Sequence, residues 1–249
     1  MSKNKYIYGI RPVLEALMTG LEIEKIFIKQ GFKDSSYREI RELADKREIP
    51  MQYVPSEKLN RLTSRNHQGI VAFISEIEYQ EISDIIPVIF ESGKIPLLII
   101  LDRITDVRNF GAIVRTAECS RVDAIIIPQG ESAKINSDAM KTSAGALAKI
   151  TICRVSNLIK TTKYLKDCGI KIVACSERAG KVYYNANFKD PLAFVFGSEE
   201  KGISKDLLSL SDLQVKIEMF GSIESLNVSV ATGIILFEAI RQRAVNNKQ

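Results

Sequence analysis

Three short segments of the chain bring together residue types that can do chemistry, and each stands beside an apolar run. In the first, Asn109 is a natural N-cap for the helix that follows, and Gly111 and Arg115 share one face of it because they are four residues apart. Gly111 leaves room above the first turn, and an arginine beside exposed helix N–H groups suits a phosphate or a ribose. A capped helix with solvated arginines has the same pattern, so this segment alone leaves both interpretations open.

The second and third segments are polar turns. The second reads Gly197-Ser198-Glu199-Glu200-Lys201-Gly202. It has neither the Walker spacing nor the Gly-x-Gly-x-x-Gly fingerprint, so ATP and NAD sites lose support. Its acids could accept hydrogen bonds from a ribose or an ammonium group, and a plain turn between strand and helix explains it nearly as well. The third places Ser225, Asn227 and Ser229 at the start of an apolar helix, where an elaborate cap is the simpler interpretation.

Histidine and cysteine usage excludes several classes of catalytic site. The chain has a single histidine, His67, and four cysteines without a Cys-x-x-Cys pair. A zinc site, a Cys–His pair and a Ser-His-Asp triad therefore have little support, and we expect no metal. No run approaches the ~18–20 apolar residues that span a bilayer, and the N-terminus lacks the apolar stretch of a signal peptide. We therefore expect a cytoplasmic protein without a membrane partner.

Apolar runs that alternate with helical patterns predict the elements that position these segments. Leu97–Leu101 is a near-continuous apolar run, typical of a strand buried on both faces of a parallel sheet. Further strands are predicted at 124–127, 170–174, 192–196 and 213–217, and helices at 110–121, at 157–168 with Ser156 as its cap, and at 228–243. This alternation predicts an α/β fold with ligands at the carboxyl ends of its parallel strands. The last helix is apolar nearly all round, which favours burial against its own sheet and a partner subunit.

Charge divides the chain into three parts. Residues 1–75 carry 13 Lys and Arg against 9 Asp and Glu, residues 76–94 carry one lysine against five acids, and residues 95–249 carry 21 against 16. The acidic stretch ends among Gly and Pro residues, which is typical of a domain boundary. We therefore expect a small α/β domain at 1–75, an acidic linker at 76–94 and the larger domain at 95–249. The net charge of +5 is only a weak hint of an anionic partner.

Taken together and in order, the three segments resemble the motifs of the SpoU (TrmH-like) family of RNA ribose 2′-O-methyltransferases, within the SPOUT class. The matching stretches run from Asn109 to Ala117, from Phe196 to Gly202 and from Ser225 to Ala231. Upstream, residues 8–17 and 67–70 resemble the ribosomal-protein-like substrate-binding domain of the branch that methylates a guanosine ribose in large-subunit rRNA. The resemblance thus covers nearly the whole chain.

This resemblance implies a fold that periodicity cannot show. It is a parallel sheet whose C-terminal segment is threaded into a trefoil knot, preceded by the small α/β RNA-binding domain. The resemblance also implies S-adenosylmethionine as the cofactor and a homodimer whose active site is completed across the interface. The cofactor-binding residues that it implies are Phe196, Gly197, Ile217, Met219, Ser225 and Leu226.

The catalytic residues implied by the resemblance are Arg115, Asn109, Glu199, Ser225 and Asn227. Arg115 would engage the ribose hydroxyl or a neighbouring phosphate, either as the base or through its positive field, since an arginine normally stays protonated. Asn109 and Asn227 would orient Arg115 and the ribose, and Glu199 would hold Asn109 or Arg115 in place. Ser225 would shape the cofactor loop, and position favours Glu199 over the neighbouring Glu200.

An RNA partner is expected to contact Arg11, Arg65, His67 and Arg108. For His67, a turn histidine without a ligand is the alternative, and the sequence leaves the two open. The substrate implied is rRNA, but a tRNA methyltransferase would share every motif. A non-catalytic RNA-binding protein, in which the second domain only dimerises, is the competing class of function.

Overall fold

The computed structural model describes residues 6–75, 77–133, 135 and 137–246, and the chain divides into two compact units, one ending at Glu78 and the other beginning at Tyr79. The first unit contains strands β1 (Tyr6–Tyr8), β2 (Ile23–Lys29), β3 (Met51–Val54) and β4 (Ile70–Ile74) and helices α1 (Ile10–Met18), α2 (Tyr37–Lys46) and α3 (Ser56–Leu62). The strands form one sheet in the order β1-β4-β2-β3, in which only β2 and β3 are parallel.

Each face of this small sheet has its own apolar layer. On one face, Val13 of α1 and Ile40 of α2 pack with the sheet residue Ile26. On the other, Leu59 of α3 packs with Phe27 and Phe73, whose rings meet edge to face. The first unit is therefore a helix–sheet–helix sandwich, in agreement with the predicted small α/β domain.

The second unit is built on a larger, wholly parallel sheet. Its strands are β5 (Leu97–Asp102), β6 (Ala124–Pro128), β7 (Thr151–Val155), β8 (Lys171–Cys175), β9 (Lys181–Val182), β10 (Leu192–Gly197) and β11 (Leu213–Lys216). Its helices are α4 (Ile82–Glu91), α5 (Val107–Cys119), α6 (Ser137–Thr142), α7 (Leu158–Asp167), α8 (Lys205–Leu210) and α9 (Val228–Asn246). The strand order is β7-β6-β5-β10-β8-β11-β9. The predicted parallel α/β sheet is confirmed.

The apolar runs lie at the centre of this sheet. Every residue of β5 is buried, as are the first five residues of β10, and the two strands pair directly. Strands with helices on both faces have no solvated side, which explains why they lack an alternating pattern. Two strands were not predicted. Both β7 and β9 lie at the edges of the sheet, and the polar residues in β7 break the apolar run that marks the central strands.

The predicted acidic linker at 76–94 is wrong for most of its length. Glu76 lies outside the described residues, and Ile82–Glu91 forms helix α4 of the second unit. Ile82, Ile86 and Ile89 recur at helical spacing and are buried in the core of that unit, whereas the acids occupy the other side. Net charge concealed an amphipathic helix, because three of the five acids in 76–94 precede the helix, which itself holds only Asp84 and Glu91.

Two predicted helix caps are also wrong. Asp106, not Asn109, caps α5, because its Oδ1 accepts hydrogen bonds from the backbone N–H groups of Arg108 and Asn109 at 2.9 and 2.8 Å. Asn157, not Ser156, caps α7 by accepting from the backbone N–H of Lys160. The first correction matters for function, since it leaves the Asn109 side chain available for other contacts.

Gly111 makes room for a helix rather than for a ligand. A Cβ atom at this position would lie 2.6 Å from Cβ of Thr142 and 3.1 Å from the backbone nitrogen of Ser143. Gly111 therefore lets α6 pack closely on α5, which corrects the expectation of open space above the first turn.

The trefoil knot implied by the family resemblance stays a prediction. Among the described residues, no helix combines the length and apolar character needed to cross a bilayer.

We expect Thr162→Val to stabilise the protein by about 1 kcal/mol, because within the described part of the chain the buried Thr162 Oγ1 has no hydrogen-bond partner. The neighbouring Thr161 is a matched control. Its Oγ1 donates to the carbonyl of Asn157, so Thr161→Val should cost about 1 kcal/mol. The urea concentration at the unfolding midpoint, compared at an unchanged m-value, measures both changes in the free energy of unfolding. A Thr162→Val midpoint at or below the wild-type value contradicts the prediction.

Candidate active site

The three polar segments meet at the carboxyl edge of the large sheet. The first follows β5 and the second follows β10, and these strands are adjacent and in register, with Gly197 beside Asp102. The third lies between β11 and α9. Parallel strands bring their carboxyl ends to one edge, which is where ligands bind in such sheets.

A hydrogen-bonded cluster of three side chains links all three segments. Nδ2 of Asn227 donates to Oδ1 of Asn109 at 3.0 Å and to Oε1 of Glu199 at 2.7 Å. These contacts join residues 118 and 28 positions apart in the chain. Glu199 therefore holds Asn227, where the sequence predicted that it would hold Asn109 or Arg115.

The backbone around Asn227 fixes the orientation of its side chain. The Asn227 carbonyl accepts from the N–H of Ala231 in the first turn of α9. Oδ1 of Asn227 accepts from the backbone N–H and the hydroxyl of Ser229 at 2.9 and 2.5 Å. The amide oxygen is thus occupied by the helix start, and the amide nitrogen points to Asn109 and Glu199. Capping of the helix uses Oδ1 of Asn227, whereas the contacts with Asn109 and Glu199 use its Nδ2. Capping alone therefore does not account for this side chain.

The hydrogen bonds leave two complementary groups on Asn109 and Glu199. Oδ1 of Asn109 is used by Asn227, so its Nδ2 remains as a donor without an acceptor among the residues that the structure describes. Likewise, no described residue donates to Oε2 of Glu199. Both residues line one cavity, and a donor beside a carboxylate acceptor matches the two hydrogen-bonding functions of a hydroxyl group.

The loop formed by residues 198–202, which carries Glu199, is held in a tight turn. Gly202 N donates to the carbonyl of Ser198 at 2.8 Å, and Gly202 has a φ of +62°, a conformation that favours glycine. A Cβ atom on Gly197 would lie 2.1 Å from the carbonyl carbon of Gly202. Gly197 is therefore required by the close approach of two backbone segments.

Two cavities lie on either side of this loop and share its residues 198–201 as a wall. The first has a volume of about 240 Å³, and all six predicted cofactor residues line it: Phe196, Gly197, Ile217, Met219, Ser225 and Leu226. The second has a volume of about 230 Å³ and is lined by Asn109 and Glu199, together with Arg103, Thr105, Asp106 and Glu131. Glu199 borders both cavities.

Sequence reasoning missed several residues that line these cavities. Cys175 lines the first, and burial raises the pKa of its thiol, so it stays protonated and acts as wall rather than as nucleophile. Arg103 and Glu131 line the second, and both have a positive φ, which is uncommon outside glycine. No periodicity marks these residues. The available signal was position, since Arg103 directly follows a buried strand.

Arg115 is not part of this cluster in the single chain. Its side chain is exposed on α5 and lines neither cavity. Arg108 is also exposed and lies seven residues earlier, on the same face of the helix. The structure thus brings together Asn109, Asn227 and Glu199 and leaves both arginines on the surface.

The other predicted RNA contacts lie in the first unit. Arg11 is exposed on α1, and Nη1 of Arg65 donates to the hydroxyl of Tyr8 at 3.1 Å. Nδ1 of His67 accepts from the backbone N–H of Gly69, so the ring proton is on Nε2, which donates to Oδ1 of Asn60. His67 thus orders its own turn, and whether it also contacts RNA stays open between the two interpretations.

Family comparisons cover both units. Residues 96–237 match the model of the SpoU rRNA Methylase family, and residues 6–80 match the model named RNA 2′-O ribose methyltransferase substrate binding. A Bacillus subtilis protein, whose name places it in the TrmH family of tRNA/rRNA methyltransferases, is 33% identical over 97% of both chains.

Two solved structures are similar in different ways. An AdoMet-bound rRNA methyltransferase from Sinorhizobium meliloti is 25% identical, with a TM-score of 0.61. The match covers 95% of this chain and 86% of the S. meliloti chain. The A. aeolicus TrmH/SpoU tRNA modifying enzyme is 33% identical, with a TM-score of 0.57, but the match covers only 62% of this chain and 78% of the A. aeolicus chain. The rRNA enzyme thus matches far more of the present chain than the tRNA enzyme does.

Proposed function

The chain belongs to the SpoU rRNA Methylase family of RNA methyltransferases, and on that premise we propose that it transfers a methyl group from S-adenosylmethionine to a ribose 2′-hydroxyl of large-subunit rRNA, with guanosine as the target nucleoside. The observation that carries the proposal is the Asn109–Asn227–Glu199 cluster beside two adjoining cavities. One cavity suits the methyl donor, and the other suits the nucleotide that accepts the methyl group.

The first cavity has the chemistry that S-adenosylmethionine requires. Phe196, Ile217 and Leu226 give it apolar walls for an adenine ring, and the acids Glu177 and Glu199 suit the positive sulfonium and ammonium groups. Backbone groups near Gly197 and Ile217, which line this cavity, would form hydrogen bonds with the adenine and ribose. When bound, the cofactor supplies an electrophilic methyl group.

The second cavity would hold the target ribose. A 2′-hydroxyl is a poor nucleophile at neutral pH, so it must be placed in line with the methyl group and assisted as its proton leaves. Nδ2 of Asn109 can donate to a sugar or phosphate oxygen, and Oε2 of Glu199 can accept from a hydroxyl group. Asn227 holds both in place, and each contact is within the range of good hydrogen bonds.

Arg115 would act across a homodimer. Val230 and Phe237 of α9 are about half exposed, seven residues apart on one helix face. Such a stripe is typical of an interface between subunits, and α5, which carries Arg115, packs directly against α9. A second copy docked there would bring its Arg115 toward this chain's second cavity, where its charge stabilises the developing alkoxide or a phosphate.

The coverage of the comparisons favours rRNA over tRNA. The first unit, with Arg11, Arg65 and His67, has a counterpart in the S. meliloti rRNA methyltransferase, whereas the A. aeolicus tRNA enzyme matches 62% of the chain. Basic residues of this unit would grip the RNA backbone, while Arg108 would contact RNA beside the active site.

Calorimetry with S-adenosylmethionine separates this proposal from a non-catalytic RNA-binding protein. We expect saturable binding of one cofactor per chain. Absence of binding at millimolar cofactor would favour the non-catalytic alternative. Transfer of a radiolabelled methyl group to rRNA, but not to tRNA, from a strain lacking the gene then tests the substrate.

We expect Asn227→Asp to reduce methyl transfer by about 100-fold, because a carboxylate cannot donate to Asn109 and repels Glu199. Cofactor affinity should fall much less than turnover, since Asn227 lines neither cavity and reaches the cofactor cavity only through Glu199. Asn187→Asp is the matched control. Its Oδ1 accepts from the N–H of Lys189, a bond that aspartate can also make. Equal turnover numbers for the two variants would contradict this assignment.

A further inference from the structure

A partly buried ion pair lies beside the C-terminal end of the 198–202 loop, which separates the two cavities. Asp102 ends β5 and is 4% exposed. Its Oδ1 and Oδ2 accept from Nε and Nη2 of Arg103 at 3.1 and 3.2 Å, and Oδ2 also accepts from the backbone N–H of Ser204 at 2.6 Å. The carboxylate thus ties β5 to Ser204, two residues beyond the 198–202 loop that carries Glu199.

Arg103 contacts the same loop directly, at Gly202. Nη2 donates to the carbonyl of Gly202 at 3.2 Å, across 99 positions of sequence. The Arg103 backbone has a φ of +60°, a conformation that costs an L-residue energy and persists only where its surroundings enforce it. The guanidinium lines the second cavity, and its side chain is 24% exposed. The pair therefore holds the C-terminal end of the 198–202 loop, through Gly202 and through Ser204 two residues beyond it.

We propose that Asp102 and Arg103 are positioning residues that fix the 198–202 loop relative to β5. The position of this loop in turn places Glu199 between the cofactor and the nucleotide. This inference rests on the proposed function. Arg103 contacts the loop backbone rather than Asn109, Asn227 or Glu199, so its effect on chemistry passes through the loop.

The packing of the loop makes its position sensitive to this pair. Because the backbones at Gly197 and Gly202 are in close approach, a shift at Gly202 moves the wall shared by both cavities. A misplacement of about 1 Å can cost about 100-fold in rate. Loss of the guanidinium should therefore affect cofactor binding and turnover together.

Arg103→Ala tests the proposal in the full-length protein, with Arg121→Ala as the control. Arg121 has a similar φ of +53°, is exposed and lines neither cavity, so the control reproduces the backbone change alone. With rRNA from a strain lacking the gene as substrate, we expect Arg103→Ala to lower kcat by about 100-fold and to weaken S-adenosylmethionine binding by about 10-fold. Affinity for the rRNA and its salt dependence should match the control.

Arg103→Lys separates positioning from simple stabilisation. Lysine keeps the charge beside Asp102 but lacks the fork that reaches both Asp102 and Gly202. We expect it to recover the thermal midpoint of the wild type while kcat stays at least about 10-fold low. If Arg103→Lys recovers both the thermal midpoint and kcat, the proposal is overturned. A weaker salt dependence of RNA binding for Arg103→Ala would also overturn it, because this change marks a lost phosphate contact.

The outcomes also distinguish this inference from the proposed function. Wild-type protein that transfers no methyl group refutes the function, and the calorimetric affinities for S-adenosylmethionine still compare Arg103→Ala with its control. Wild-type transfer together with equal kcat and cofactor affinity for Arg103→Ala and Arg121→Ala refutes the positioning role alone.

Discussion

Arg115→Ala is expected to reduce methyl transfer to RNA by at least about 1000-fold while leaving S-adenosylmethionine affinity within about threefold of the wild type. A positive group aimed at developing negative charge is worth about 10² to 10³ in rate in other active sites, and here it would also assist loss of the hydroxyl proton. Cofactor affinity is preserved because Arg115 lines neither cavity. Single-turnover transfer and calorimetry measure the two quantities.

Arg108→Ala is the control for this variant, since it removes an exposed arginine from the same face of α5. We expect it to raise KM for RNA and to reduce the salt dependence of binding by about one phosphate contact, with kcat little changed. Wild-type turnover for Arg115→Ala would show that the catalytic assignment is wrong.

Mixed dimers test whether Arg115 acts in the partner's site. Neither Arg115→Ala nor Asn227→Asp should be active alone, but a heterodimer of the two has one site with both native residues if the arginine comes from the other subunit. Recovered transfer on mixing supports an active site that spans two copies. No recovery in a demonstrated heterodimer would place the arginine and the asparagine in the same chain's site.

Gly197→Ala is expected to weaken S-adenosylmethionine binding by more than about 100-fold. The added methyl carbon would lie 2.1 Å from the carbonyl carbon of Gly202 and 2.3 Å from the backbone nitrogen of Ile203, so the loop must move. Backbone atoms cannot rotate away as a flexible side chain can, and overpacking of this kind typically costs about 1–3 kcal/mol of stability as well. Calorimetry and thermal unfolding measure both losses.

Gly180→Ala is the matched control, because a Cβ atom there would meet nothing within 4 Å and Gly180 has no positive φ. It should bind S-adenosylmethionine like the wild type. Gly197→Ala with wild-type cofactor affinity would show that the 197–202 loop is not part of the cofactor site.

The sheet was predictable because burial leaves a direct mark on sequence. Leu97–Leu101 and Leu192–Phe196 are apolar throughout, as strands covered on both faces must be. The helix α4 was missed because the net charge of 76–94 comes mostly from acids that precede it. Helical spacing at Ile82, Ile86 and Ile89 was the better guide to its burial.

The three segments could be identified from motif resemblance, but the bonds between them could not be predicted. The structure joins Asn109 and Glu199 through Asn227 and leaves Arg115 outside this cluster. The partner of each could not be inferred, since the contacts join distant parts of the chain. Asn109 illustrates the difficulty: as a presumed cap its side chain would be occupied, but Asp106 takes that position and frees it. The exposed Arg115 shows a further limit, because no residue that the structure describes bonds to its side chain, so its proposed catalytic role rests on the motif resemblance.

Mass mapping of ribose methylation in RNA from a deletion strain tests the central claim most directly. We predict that one 2′-O-methylated nucleoside disappears from large-subunit rRNA, returns with the wild-type gene and does not return with Arg115→Ala. Unchanged ribose methylation in both rRNA and tRNA of the deletion strain would contradict the proposed activity.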